Sequence, residues 1–234
     1  MKILAFETAT EACSVALWLD GEVRERHALA PRQHAQLALP WAEQLLAEAG
    51  VARSQLDAIA VGRGPGAFTG VRLAIALAQG IALGLDRPVF ALSTLAVLAQ
   101  GAAEAPGSTI AAAIDARMGE VYLGAFVRGV DGLVVARGDE WLGPPAQAPQ
   151  GTCAAHGVGS GFAADAGALL ARLALPRDGV AADALPHAAH CARLAAAAAA
   201  RGEGLAAEQV EPAYLRHHVA LTLMQQTAAR ATRK

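Results

Sequence analysis

The period of the apolar positions changes several times along the chain, and each change marks an element. Lys2–Glu7 is a short apolar run that reads as a strand. Ala12–Leu19 alternates and stops at Asp20-Gly21, a two-residue hairpin signal, and Glu22–Ala28 returns as a third strand. The period then shifts to that of a helix over Gln33–Ala49, closed by Gly50, with Leu37, Trp41, Leu45 and Glu48 on one face and Ala38, Ala42 and Leu46 beside them. Leu56–Val61 is the next strand. It runs into a glycine-rich loop, 62–70, and then a helix over Val71–Leu83. Val89–Leu92 reads as a strand, and Ser93 caps a helix reaching about Gln100.

The pattern restarts after Glu104-Ala105-Pro106-Gly107. Thr109–Ile114, Glu120–Val127 and Gly132–Arg137 read as strands, and Gly143–Gly151, with three prolines, as a loop. Thr152–His156 reads as a strand, and Gly161–Leu173 and the alanine-rich Pro186–Ala200 as helices. Glu211–Arg216 is expected to be extended, because Pro212 disfavours helix at Glu211, and the basic tail 228–234 to fray. A meander followed by alternating strands and helices predicts an α/β fold with mixed sheets flanked by helices. The restart predicts two lobes, 1–105 and 106–234, with 211–216 packing back at the junction.

Composition narrows the class. In 234 residues, 54% are hydrophobic and only 4% aromatic, so the core must be built from Ala, Leu, Val and Ile. A net charge of −2 gives no broad nucleic-acid footprint. Cys13, Cys153 and Cys191 are odd in number and form no C-x-x-C pair, which points to free thiols in a reducing compartment. Glu7 and Glu11 interrupt the first apolar run too early for a signal peptide. The uncharged stretch Leu73–Leu85 is expected to be too short for a membrane span. A cytoplasmic protein is the expectation.

The loop 62–70 carries the most chemical information. It has four glycines between a strand and a helix, and it admits two readings. One is an anion or phosphate site made by Gly64, Gly66, Thr69 and Gly70, with Arg72 nearby and Thr8 and Thr10 on the facing hairpin. The other is a tight turn that only positions packed elements. There is no G-K-[ST], so it is not a Walker A loop, and Pro65 removes a donor that a dinucleotide turn would use. Glu7, Asp115 and Glu120 could form a magnesium cluster for phosphoryl transfer. Alternatively, Asp115 caps backbone N–H groups while Arg117 pairs with a carboxylate. The histidines lack metal spacing, since His34 is followed by Ala38 at i+4 and His187 and His190 have no neighbouring acid in sequence. Each is expected to be a satisfied surface histidine, and no G-x-S-x-G elbow is present. On the helix after the loop, Ala76, Gly80 and Gly84 form one small-residue row and Ala74, Ala78 and Ala82 another. Such a helix can be buried on one face and accept a partner on the other, or be internal on both.

Several segments, in order, resemble the TsaB (YeaZ-type) family: 6–18, Pro31-Arg32-Gln33-His34 with Leu39-Pro40, 62–72, Ala91-Leu92-Ser93-Thr94-Leu95, 114–122 and Glu211-Pro212-Ala213-Tyr214-Leu215-Arg216. The resemblance is dense over 1–122 and thin from there to 211. It implies a two-lobed actin-like ATPase (ribonuclease H-like) fold. It further implies a non-catalytic relative of TsaD, the transferase subunit that adds threonylcarbamoyl to the adenosine next to the anticodon of ANN-decoding tRNAs. The TsaD metal motif H-x-x-x-H is broken here, with His34 present and Ala38 in the second place. The implied partners are TsaD in a heterodimer, the ATPase TsaE in the assembly, a second copy when TsaD is absent, and tRNA only through the complex. No membrane, metal or cofactor is implied, beyond weak nucleotide binding. The partner face maps onto the first two helices, through Gln33, His34, Leu37, Trp41, Arg72, Ala76, Gly80 and Leu83. Departures from the family pattern are Glu7 for Asp, Ala67 for Ser and Ala74 for Gly. The rival expectation is an actin-like nucleotide-dependent phosphotransferase using Glu7, Asp115 and the glycine-rich loop.

Overall fold

The computed structural model describes residues 1–150 and 154–216. Cys153, part of the expected strand 152–156, His217-His218 and the basic tail lie outside the described residues.

The chain opens with the expected meander, β1 (Lys2–Glu7), β2 (Ala12–Leu19) and β3 (Glu22–Leu29), all antiparallel. Asp20 and Gly21 both take positive φ, as a two-residue hairpin turn requires. Helix α1 (His34–Glu48) follows, then β4 (Ala58–Gly62), α2 (Phe68–Leu85), β5 (Val89–Leu92) and α3 (Thr94–Gln100). β4 and β5 add in parallel beside β1, giving the order β3-β2-β1-β4-β5.

Alternation along β1 decides what covers each face. Leu4 and Phe6 point into a core with α1 and α2, built from Val15, Leu17, Ile59, Val61, Leu45 and Ile75. Ile3 and Ala5 point the other way, with Ala16, Ala58 and Ala60. That second face is lined by small residues, and the alanine-rich α5 (Ala188–Ala200) lies on it. Alanine facing alanine lets the helix approach the sheet closely.

The second sheet contains β6 (Thr109–Arg117), β7 (Glu120–Arg128), β8 (Val134–Ala136), β10 (His156–Val158) and β11 (Val180–Ala181), in the order β11-β10-β6-β7-β8. β9 (Trp141–Gly143), which is not among the expected strands and overlaps the expected loop 143–151 only at Gly143, also pairs with β7. α3 covers one face of this sheet through Leu95 and Leu98, and α4 (Ala168–Leu173) covers the other through Leu169. α3 and α5 thus meet between the two sheets. α5 comes from the second half of the sequence, yet it covers the first sheet.

Two expectations need correction. The helix over Gly161–Leu173 is broken: 3-10 turns fill its first half, Asp165 and Ala166 adopt positive φ, and only α4 is α-helical. The helix after the glycine-rich loop is longer than expected. α2 has 18 residues with a mean hydropathy of 1.6, long and apolar enough by length and composition to cross a membrane. Its inner side, Ala74, Ile75, Ala78 and Ala82, is packed on the first sheet. A span in lipid would have to give up those contacts.

Candidate functional site

Two regions hold the residues singled out by sequence: the hairpin and glycine-rich loop at the end of the first sheet, and the outer face of α1 and α2.

Glu7 ends β1 and is 1% exposed. Its Oε1 accepts the Ala9 N–H at 2.8 Å, and its Oε2 accepts the Thr94 hydroxyl at 3.2 Å. Thr94 Oγ1 in turn accepts the Gly64 N–H at 3.2 Å, so three segments share one polar knot. Burial pushes the Glu7 carboxyl up to about 7, although the hydrogen bonds from Ala9, Thr94 and Thr8 oppose the rise.

The glycines of the loop make room for this hairpin. A Cβ on Gly62 would stand 1.8 Å from Glu7 Oε2, one on Gly66 2.4 Å from the Ala9 carbonyl oxygen, and one on Gly70 1.9 Å from the Thr8 carbonyl oxygen. The Thr8 hydroxyl donates to the Gly70 carbonyl at 2.7 Å, and the Ala67 N–H donates to the Ala9 carbonyl at 2.7 Å. Thr10 is buried, its hydroxyl accepting the Ala12 N–H, while Thr69 is exposed. These contacts are those of the packing reading of the loop.

The other acids go their own ways. Asp115 accepts the Arg117 N–H and pairs with its guanidinium, both at 2.8 Å, and Glu120 pairs with Arg216 at 2.6 Å. Among the described residues no group of three His, Cys, Asp or Glu side chains is placed to hold a metal ion. His34 Nε2 lies 3.1 Å from the Ala12 carbonyl oxygen.

His187 and His190 differ from the expected surface histidines. His187 Nδ1 stands 3.0 Å from Glu25 Oε2 and its ring stacks on His27 with centroids 4.0 Å apart. The Glu25 hydrogen bond raises the His187 pKa, and burial lowers those of His27 and His190. Glu25 itself falls to about 2: burial resists ionisation, but hydrogen bonds from His187, Ser14 and the Ala189 N–H outweigh it. Ser14 and Glu25 also accept the Ala188 and Ala189 N–H groups, so the first sheet caps the start of α5. A contact across 162 residues leaves no trace in local spacing.

The outer face divides cleanly. Ala74, Ala78 and Ala82 are buried, whereas Ala76 and Gly80 are exposed and Leu83 is 64% exposed. A Cβ on Gly80 or Gly84 would meet nothing within 4 Å. The helix is therefore internal on one small-residue row and open on the other. Gln33 is exposed, and His34, Leu37, Trp41 and Arg72 are half-buried. Sequence reasoning missed Leu39, Phe68 and Tyr214, which leave large apolar surface on or beside this region. Phe68 was hidden by the late start assigned to the helix; its i, i+4 spacing to Arg72 was the available signal.

Comparison with known proteins agrees with this architecture. Residues 27–148 match the family model described as TsaD: tRNA N6-adenosine threonylcarbamoyltransferase. The chain is 42% identical over 231 residues to the tRNA threonylcarbamoyladenosine biosynthesis protein TsaB of Escherichia coli K12, covering 94% of this chain and 96% of that protein. It is 48% identical over 129 residues to TsaB of Haemophilus influenzae, 55% of each chain. The structure of YeaZ from Pseudomonas aeruginosa superposes with a TM-score of 0.81 at 46% identity, covering 92% of this chain and 99% of that one. With a near full-length match at 42% identity and a shared fold, the chain belongs to the TsaB (YeaZ) family.

Proposed function

We propose that the protein serves tRNA threonylcarbamoyladenosine biosynthesis as a non-catalytic scaffold that binds and orders TsaD. The observation that carries this reading is the contrast between its two candidate regions. Gly62, Gly66 and Gly70 of the loop pack against the chain's own hairpin, and Glu7 is buried and hydrogen-bonded between the two. The outer row of α2, by contrast, is open and apolar. A partner helix can approach closely over Ala76 and Gly80, and docking would shift TsaD toward its active arrangement. TsaE joins the assembly, tRNA is engaged through the complex, and a second copy covers the same face when TsaD is absent. The protein works in the cytoplasm without a cofactor of its own.

Reconstituted threonylcarbamoyl transfer tests this reading. TsaD with TsaC, which makes the threonylcarbamoyl-adenylate that TsaD consumes, TsaE, threonine, bicarbonate, ATP and tRNA should modify tRNA only when this chain is added, and the chain without TsaD should transfer nothing. Appreciable transfer by the chain without TsaD would overturn the assignment.

A further inference from the structure

Four of the five phenylalanines, Phe6, Phe90, Phe126 and Phe162, are at most 4% exposed. Phe68, in the first turn of α2, is 66% exposed. The Arg72 guanidinium lies over its ring, the central carbon 3.3 Å from the ring centroid. Tyr214, 52% exposed, reaches the same guanidinium from the returning chain: its hydroxyl is hydrogen-bonded to Arg72 and its ring centroid lies 5.0 Å away. The segment before Tyr214 is tied to the glycine-rich loop and to α2 by Ala213 N–H to the Arg63 carbonyl and by Gln79 to the Ala207 and Val210 carbonyls.

Arg72 is thus held in place by two rings, by the Phe68 carbonyl at 3.4 Å and by one phenol. Among the described residues no acidic side chain pairs with it. Among the described residues, the only acceptors for its five guanidinium N–H donors are the Phe68 carbonyl and the Tyr214 hydroxyl, and two aromatic rings lie against it. Arginine flanked by aromatic surface is the composition of an energetic anchor in protein interfaces, and the rings exclude water from whatever the arginine binds.

We propose that Arg72 is a specificity anchor that receives a carboxylate from the partner helix docked on α2, with Phe68 and Tyr214 as its apolar walls. A phosphate is the less suitable occupant, because a nucleic-acid surface gathers cations, whereas Arg216, two residues beyond Tyr214, is paired with Glu120. The inference rests on the scaffold reading and adds the chemistry the partner must bring: an Asp or Glu next to the small-residue contact.

Titration calorimetry with cognate TsaD, at 50 and 300 mM salt, tests it. The wild-type chain should bind, and more weakly at high salt. Arg72→Met should lower affinity at least tenfold at low salt and flatten the salt dependence. Arg72→Lys should recover part of the loss, since it keeps the charge without the planar stacking. Phe68→Ala should weaken binding with the salt dependence intact. Wild-type affinity in Arg72→Met, or an equal loss at both salt concentrations, would overturn the carboxylate anchor. Failure of the wild-type chain to bind TsaD would instead overturn the scaffold reading. Competition of TsaD binding by tRNA that is lost in Arg72→Met would assign the site to phosphate and also overturn the inference. Circular dichroism checks that each variant is folded.

Discussion

The carboxyl of Glu7 occupies the space that a side chain on Gly62 would need: a Cβ there would fall 1.8 Å from Oε2. β1 and β4 are parallel neighbours, so the two strand ends are fixed side by side and neither can yield without disturbing the sheet. Gly62→Ala should therefore cost about 1–3 kcal/mol, the usual range for overpacking a filled site. In a chain of this size that is roughly a 3–10 °C lower Tm. Thermal unfolding measures it, and Glu7→Ala combined with Gly62→Ala should recover part of the loss. Additive losses in the double variant would show that the two positions do not compete for space.

The same carboxyl makes stability depend on pH. Its ordinary value is 4.5 and burial lifts it to about 7 in the folded chain. Below 4.5 both states keep the proton and no penalty exists. As pH rises through 7 the folded chain must ionise a buried carboxyl, and stability is lost. The full cost is roughly 3 kcal/mol by linkage, an order-of-magnitude figure. Glu7→Gln removes it. The Tm of the wild-type chain relative to Glu7→Gln should fall by about 5–10 °C between pH 4.5 and pH 8.5. A constant difference across that range would contradict the buried, protonated Glu7.

The cap of α5 predicts the opposite kind of profile. Glu25, depressed to about 2, contributes above its ordinary 4.5 and loses that contribution as pH falls through 2. His187, raised by Glu25, contributes below its ordinary 6.5 and loses that contribution as pH rises through its folded value. The stability gap between the wild-type chain and Glu25→Ala should thus be widest between about pH 4.5 and 6.5. There it should reach about 2–3 kcal/mol, since Ser14, His187 and the Ala189 N–H all lose an acceptor. Urea unfolding at pH 5.5 and 8.5 reads the difference, and an equal gap at both would mean His187 takes no part.

These contacts mark where the sequence could and could not be read. The meander was legible because Asp20-Gly21 and strict alternation act locally. α2 was legible as a helix but not in its full length, because Phe68 and Thr69 resemble loop until the Arg72 contact is seen. The helix expected over Gly161–Leu173 failed because positive φ at Asp165 and Ala166, neither a glycine, overrides a pattern rich in helix formers. In the candidate site, Asp115 and Arg117 were legible as a local turn, two residues apart. Glu25 with His187, and Arg72 with Tyr214, join distant parts of the chain, and only the packing of α5 and the return of 207–216 across α2 bring them together. The glycines were visible, but that Thr8, Ala9 and Glu7 fill the space they leave was not.

The open row of α2 gives the most direct test of the scaffold reading. Gly80 is exposed and a side chain there meets nothing, so Gly80→Glu should fold with an unchanged or slightly higher Tm, helped by the better helix propensity of Glu. Titration calorimetry of Gly80→Glu with cognate TsaD should then show binding reduced by two orders of magnitude or more, because the new carboxylate would be buried against the partner helix. Wild-type affinity in this variant would contradict the placement of the partner on α2.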